Sequence, residues 1–145
     1  MNCLFQKTNT VMYSQYSGPL DHVLFIQISL PNQTWLWREG LKTTNCHMID
    51  CIIDSMGVVK TADVSGLALE SNHFLKADSK RGDNATAGPV EFIDAAKLDF
   101  HLKPGQSAAK GGKALQCVPA DMDGRPYDKE SPSRGCYQAG PESER

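Results

Sequence analysis

Residues 45 to 57 read Asn-Cys-His-Met-Ile-Asp-Cys-Ile-Ile-Asp-Ser-Met-Gly, and the class of the fold is inferred from their periodicity. Met48, Ile49, Ile52, Ile53 and Met56 fall at i, i+1, i+4, i+5 and i+8. That stripe repeats at helical period and predicts an amphipathic helix from Asn45 to Met56. Thr44 or Asn45 caps its start, and Gly57 stands where a left-handed C-terminal residue belongs.

Upstream the period changes to two. Leu20, Leu24, Ile26, Ile28 and Leu30 share one face, interrupted by His22, against Val23, Phe25, Gln27 and Ser29 on the other. This predicts a half-buried strand. Pro31-Asn32-Gln33 is turn chemistry, and Trp35-Leu36-Trp37 follows as a short aromatic strand ended by Gly40. The natural reading is a β-hairpin with both tryptophans against the Leu24-Ile26-Ile28 row.

Downstream, a short strand is expected near Val64 to Leu69, and Lys76 to Gly88 reads as a polar loop. Pro89 fits the first turn of a second, short helix with Phe92, Ile93 and Ala96 on one face. From Lys97 to Lys103 strict alternation returns and predicts a terminal strand. The expected class is α+β: a hairpin, one clear helix, a short second helix and a final strand, with no internal repeat.

The composition shifts at Pro104. Only twelve of the last 42 residues are apolar, and the same segment holds six glycines and five prolines. So little apolar surface does not offset the entropy of ordering a backbone. Residues 1–103 are therefore read as a small, marginally stable domain, and residues 104–145 as a low-complexity flexible tail.

The whole chain has 145 residues, 15 basic and 17 acidic, for a formal net charge of -2. Scattered basic residues leave no nucleic-acid footprint, so none is expected as a partner. No apolar run approaches the ~18 residues that span a bilayer, so no membrane association is expected. The first twenty residues are polar and aromatic rather than continuously apolar, which is not a secretory signal. Asn2 in place of Gly excludes myristoylation, and the terminus carries no prenylation cysteine. A cytoplasmic location follows as the expectation. Five cysteines, Cys3, Cys46, Cys51, Cys117 and Cys136, form no C-x-x-C pair and are odd in number, as expected of free thiols.

Two constellations bear chemistry. On the expected helix, His47, Asp50, Cys51 and Asp54 share one side, opposite the isoleucines. A thiol, an imidazole and two carboxylates together suit a zinc ligand set or a thiolate-imidazole pair. The plainer alternative is a solvated helix face. Arg81-Gly82-Asp83 resembles the integrin-recognition tripeptide and lies in the polar loop. The resemblance implies an extracellular adhesion ligand, with the Arg as cation and the Asp as carboxylate for a metal ion. Asn32 and Asn84 open glycosylation sequons, and Ser131 and Ser133 are phosphate acceptors of a Ser-rich tail.

Two partial motifs fail. Asp121-Met122-Asp123-Gly124 resembles the start of a calcium loop, but position 12 of that register is Pro132. Gly111-Gly112-Lys113 lacks phosphate-loop spacing.

With no catalytic signature found, the expected function is non-enzymatic, an interaction or regulatory protein with a protein partner and no cofactor. The alternatives are a small metal- or thiol-dependent enzyme using His47, Cys51 and Asp54, a secreted adhesion ligand using Arg81, Gly82 and Asp83, or an orphan reading frame without an evolved fold.

Overall fold

The computed structural model describes residues 3–4, 19–21, 23–37, 40–58, 62–97 and 99–140. Strands account for 38% of the structure and helical turns for 8%, with no helix of seven residues or more among the described residues. The α+β expectation is overturned: the protein is built on parallel sheets.

Twelve strands follow one another: β1 (Cys3–Leu4), β2 (Pro19–Asp21), β3 (Leu24–Ile26), β4 (Ile28–Trp37), β5 (Lys42–Thr44), β6 (Cys46–Ile49), β7 (Ile52–Val58), β8 (Leu67–Glu70), β9 (His73–Phe74), β10 (Thr86–Ala87), β11 (Phe92–Asp94) and β12 (Asp99–Leu102). The first ten form three parallel sheets, ordered β1-β4-β7-β9-β10, β2-β5 and β3-β6-β8. Their registers advance together. Pro19 pairs with Lys42, Leu24 with His47 and Ser29 with Ile52, each 23 residues further along the chain. On the next turn Lys42 bridges to Asp63, His47 pairs with Ala68 and Ile52 with His73, each 21 residues on. The last turn is cut short, with Glu70 bridging to Asp83 and His73 pairing with Thr86, each 13 residues on. One chain winding through three sheets by the same step is a β-solenoid, in which each coil buries its apolar face against its neighbours.

The two extra residues of the first full coil have an address. The β4–β7 register slips between Leu30 and Thr34, from an offset of 23 to one of 21. Pro31-Asn32-Gln33 lies inside that slip, and proline, lacking an N–H, is tolerated at a bulge. These residues do not turn the chain back. Trp35-Leu36-Trp37 continues β4 and pairs in parallel with β7, so the expected hairpin is replaced by a coil.

The expected helix over Asn45–Met56 is replaced by β6, a sharp corner and β7. Asp50 makes that corner with φ 55°, and Gln27, Ser71 and Asn84 make the corresponding corners with φ 49°, 52° and 51°. A single left-handed residue turns the strand without interrupting the ladders on either side. It also resets the alternation. Phe25, Met48 and Leu69 face inward before the corner, and Ile28, Cys51 and Ala85 occupy the core just after it. Asn45, with φ 50°, makes a second bend between β5 and β6. The chain next to it passes so close that a Cβ on Gly66 would lie 2.2 Å from Thr43 O.

The solenoid interior holds Ile28, Trp37, Leu41, Met48, Cys51, Ile53, Met56, Phe74 and Ala85. Trp37 is fully buried and meets Phe25 edge-on, ring centroids 5.9 Å apart. At about 25 cal/mol per Å² of apolar surface, such side chains supply the main drive for stacking the coils.

The second short helix is also absent. Phe92–Asp94 form β11, which pairs antiparallel with β12, and a single 3-10 turn, Ala95–Lys97, lies between them. Pro89 starts no helix because the apolar residues after it pack as a strand: Phe92 meets Phe100 edge-on at 5.3 Å. β12 lies within the alternating Lys97–Lys103 run, of which Leu98 is outside the described residues.

The expectation of a disordered tail is corrected as well. Residues 104–140 wrap the corner side of the solenoid. Val118 and Tyr127 are buried against Ile26 and Ile49, with Leu115 packed beside them, and Ala108 is buried with Ile52 and Leu102. Few apolar side chains suffice because the surface they cover is itself apolar and because polar groups fix the backbone. Arg134, 3% exposed, donates to five carbonyls, those of Ser71, Asn84, Ser107, Lys110 and Gly111. Cys136 N donates to Ser29 Oγ at 3.0 Å. Asp121 accepts from the backbone N–H groups of Asp123, Arg125 and Gln138. Gly135, at φ +83°, seats the cover on the corner, where a Cβ would fall 2.4 Å from Ser29 Oγ.

Candidate functional site

On the side of the first coil β1 pairs with β4, Cys3 with Ile28 and Leu4 with Ser29. Among the described residues β2 and β3 each have a strand partner on one side only, β5 and β6 respectively. In a parallel ladder the N–H and C=O of a residue point to the same side. Val23 O accepts from His47 N and Gln27 N donates to Ile49 O, both at 3.0 Å, so these alternate residues face β6. Leu24 and Ile26 therefore direct their backbone groups toward the opposite edge. Leu24 is 49% exposed on the outer surface, whereas Ile26 is buried beneath Val118 and Tyr127.

The surface on the paired side of β3 is charged. His47, the register partner of Leu24, projects outward with its side chain 48% exposed and lies 3.7 Å from Glu70. Glu70 also binds Lys113 Nζ from the cover, and that hydrogen bond holds its carboxyl below the usual range. Among the described residues, Leu24 is thus an exposed leucine on a strand paired on one side only, with His47 on the neighbouring strand and Glu70 and Lys113 beyond it.

The His47, Asp50, Cys51 and Asp54 group is dispersed by the β structure. His47 faces out from β6, whereas Cys51 is fully buried in the core. Burial pushes the Cys51 thiol up to about 12, and its sulfur lies 3.4 Å from Ile49 O. Asp54 is ion-paired with Lys76 at 2.8 Å. Asp50 sits at the corner under the cover, accepting from Lys113 N at 2.8 and 3.0 Å. Burial raises its carboxyl to about 7 against the opposing pull of that N–H, of Arg134 and of the Lys113 charge. Among the described residues no group of three His, Cys, Asp or Glu is placed to hold a metal ion.

Arg81-Gly82-Asp83 is exposed at all three residues. It belongs to the shortened last coil, where Asp83 N donates to Leu69 O and Ser71 N donates to Asp83 O. Arg81 folds back to donate to Ser79 O and Met56 O, both at 3.2 Å. Asn84 is exposed at the adjoining corner, while Thr86 of its sequon is engaged by His73 Nδ1 at 2.8 Å. Asn32 lies in the β4 bulge, and its side chain is outside the described residues. Ser131 Oγ accepts from Gly111 N at 2.8 Å. Ser133 is fully buried, donating to Ala109 O and accepting from Ala139 N.

Asn72 and Arg134, both buried and each hydrogen-bonded to more than one backbone group, carry no sequence motif. The spacing of Gln27, Asp50, Ser71 and Asn84, a polar residue at intervals of 23, 21 and 13, could have located the corner beside Asn72; Arg134 lies outside that repeat.

No helix among the described residues is long and apolar enough to cross a membrane. Compared with known proteins, the chain matches no family model, no curated protein and no solved structure.

Proposed function

We propose that the protein is a non-enzymatic interaction module that receives an extended segment of a partner protein along β3. The observation that carries this reading is the outward edge of Leu24 and Ile26, with the Leu24 side chain exposed beside it. A partner strand laid there satisfies the backbone groups at the position of one further coil, and an apolar side chain on it covers Leu24.

The test uses a photoreactive residue at His47, one strand in from the edge, in cells expressing the full chain. A discrete crosslinked species is expected. It disappears in Leu24→Pro, which removes an N–H that points away from β6 and so spares the ladder to β6. Leu24→Lys, a charge of the kind that blunts natural edges, has the same effect. A species that survives both substitutions, or no species at all, contradicts the proposal.

A further inference from the structure

Outside this edge, one histidine is held between two carboxylates. His101 on β12 lies 2.6 Å through Nδ1 from Asp99 Oδ1 and 2.8 Å through Nε2 from Asp123 Oδ2. Its ring stacks on Tyr137, centroids 4.0 Å apart and planes 29° from parallel. Asp99 belongs to the β11–β12 hairpin, and Asp123 and Tyr137 belong to the cover. We propose that His101 is a protonation-dependent latch fastening the Asp121–Tyr137 part of the cover to the hairpin.

The argument is one of donors. An ionised carboxylate only accepts, so two carboxylate contacts require both ring nitrogens to carry hydrogen, a state found only in the imidazolium. The neutral ring has one N–H. Losing the proton leaves a ring lone pair facing a carboxylate oxygen, and one of the two contacts then repels. The surroundings reinforce this. Asp121 lies on the same loop, with both oxygens on backbone N–H groups. Asp94, opposite Asp99 in the hairpin register, is taken by Lys97 at 3.0 Å. Lys103 at the far end of β12 is taken by Glu91 at 2.8 Å. Burial holds the Tyr137 phenol above its usual range, so it stays neutral and offers no competing charge near neutral pH. The latch is therefore closed while both ring nitrogens carry hydrogen and opens when one of them loses it.

Amide hydrogen exchange of the full chain at pH 5.5 and 8, corrected for intrinsic rates, tests this. Residues 99–102 and 121–125 are expected to exchange about threefold faster at pH 8 in the wild type, the size of effect a partly exposed ion pair supplies. In Asp123→Asn the dependence is lost, because an amide donates to the neutral ring as well as it accepts from the charged one. His101→Gln is also flat. Equal pH dependence in the wild type and both variants, or none in the wild type, overturns the proposal. If neither variant folds, the ring nitrogen spectrum of the wild type decides. Two N–H nitrogens at pH 5.5 and one at pH 8, changing together with the exchange of residues 121–125, support the latch; exchange that does not follow the ring refutes it.

Discussion

The side chain of Asn72 hydrogen-bonds the coil next to it: its Oδ1 accepts from Cys51 N and its Nδ2 donates to Met48 O, both at 2.9 Å. Asn72 is fully buried, occupying the place held by Cys51 one coil earlier and by Ala85 one coil later. At this corner the ladders leave two backbone groups without strand partners, and a carboxamide of the right length closes both. Asn72→Ala leaves a buried donor and a buried acceptor unpaired, at about 2–4 kcal/mol. Denaturant unfolding with an unchanged m-value measures it. A loss below about 1 kcal/mol shows that water or a shifted backbone replaces the amide.

Asp50 makes stability fall as pH rises. Its carboxyl ordinarily titrates at 3.8 but does so at about 7 in the folded protein, chiefly through burial. A raised folded value means that the native state holds the proton more tightly. The benefit is complete below about pH 4 and is lost as pH climbs through 7. Relative to wild type, Asp50→Asn therefore gains about 2–3 kcal/mol between pH 5 and pH 8. Unfolding curves of both proteins at the two pH values check this, and parallel curves refute it.

The corner at Asp50 also explains how the residues around it imitate a helix. Met48, Cys51, Ile53 and Met56 point into the solenoid, while Ile49 and Ile52 point outward beneath the cover. Two buried faces and a reset of phase at one left-handed residue merge into a stripe that periodicity alone assigns to a helix. Local alternation read Leu20–Leu30 as one strand, but the Gln27 corner divides it between β3 and β4 and sends Ile26 and Ile28 to different clusters; alternation also carries no information about partners, and parallel pairing across 21 or 23 residues is not a local property. The coils share geometry more than residues: Ile28, Cys51, Asn72 and Ala85 occupy one row without resembling one another. The cover was illegible for a related reason. Its order comes from Arg134, Asp121 and Asp128 binding backbone groups, and counting apolar side chains does not register that. At the candidate edge, Leu24 was visible as one of a row of apolar residues, but its exposure depends on which coil comes first.

Arg134 ties the cover to the solenoid, and lysine is no substitute for it. The guanidinium reaches Ser71 O, Asn84 O and three carbonyls of residues 107–111 at once, a fork that an ammonium does not reproduce. Arg134→Lys is expected to cost about 2–3 kcal/mol. It also speeds hydrogen exchange across residues 107–136 more than across β6 and β7. Equal protection in the variant and the wild type contradicts this role.

Thiol reactivity follows exposure. Cys117 is exposed, while Cys46, Cys51 and Cys136 are buried. An aromatic disulfide reagent at pH 8 modifies Cys117 in the folded protein and the three buried thiols only at the rate of unfolding. Cys51, whose thiol is pushed up to about 12, stays protected throughout the stable pH range. Prompt modification of Cys51 places it outside the core and restores a thiol-centred chemistry to consideration.

Backbone proton distances across Asn45–Val58 measure the winding itself. A nitrogen-edited NOE spectrum is predicted to show strong sequential Hα–N contacts within β6 and β7, with long-range contacts joining His47 to Leu24 and to Ala68, and Ile53 to Phe74. Consecutive amide–amide contacts from Asn45 to Met56 without those cross-coil signals mean that this stretch is a helix after all, and the solenoid, with the β3 edge proposed for docking, does not exist.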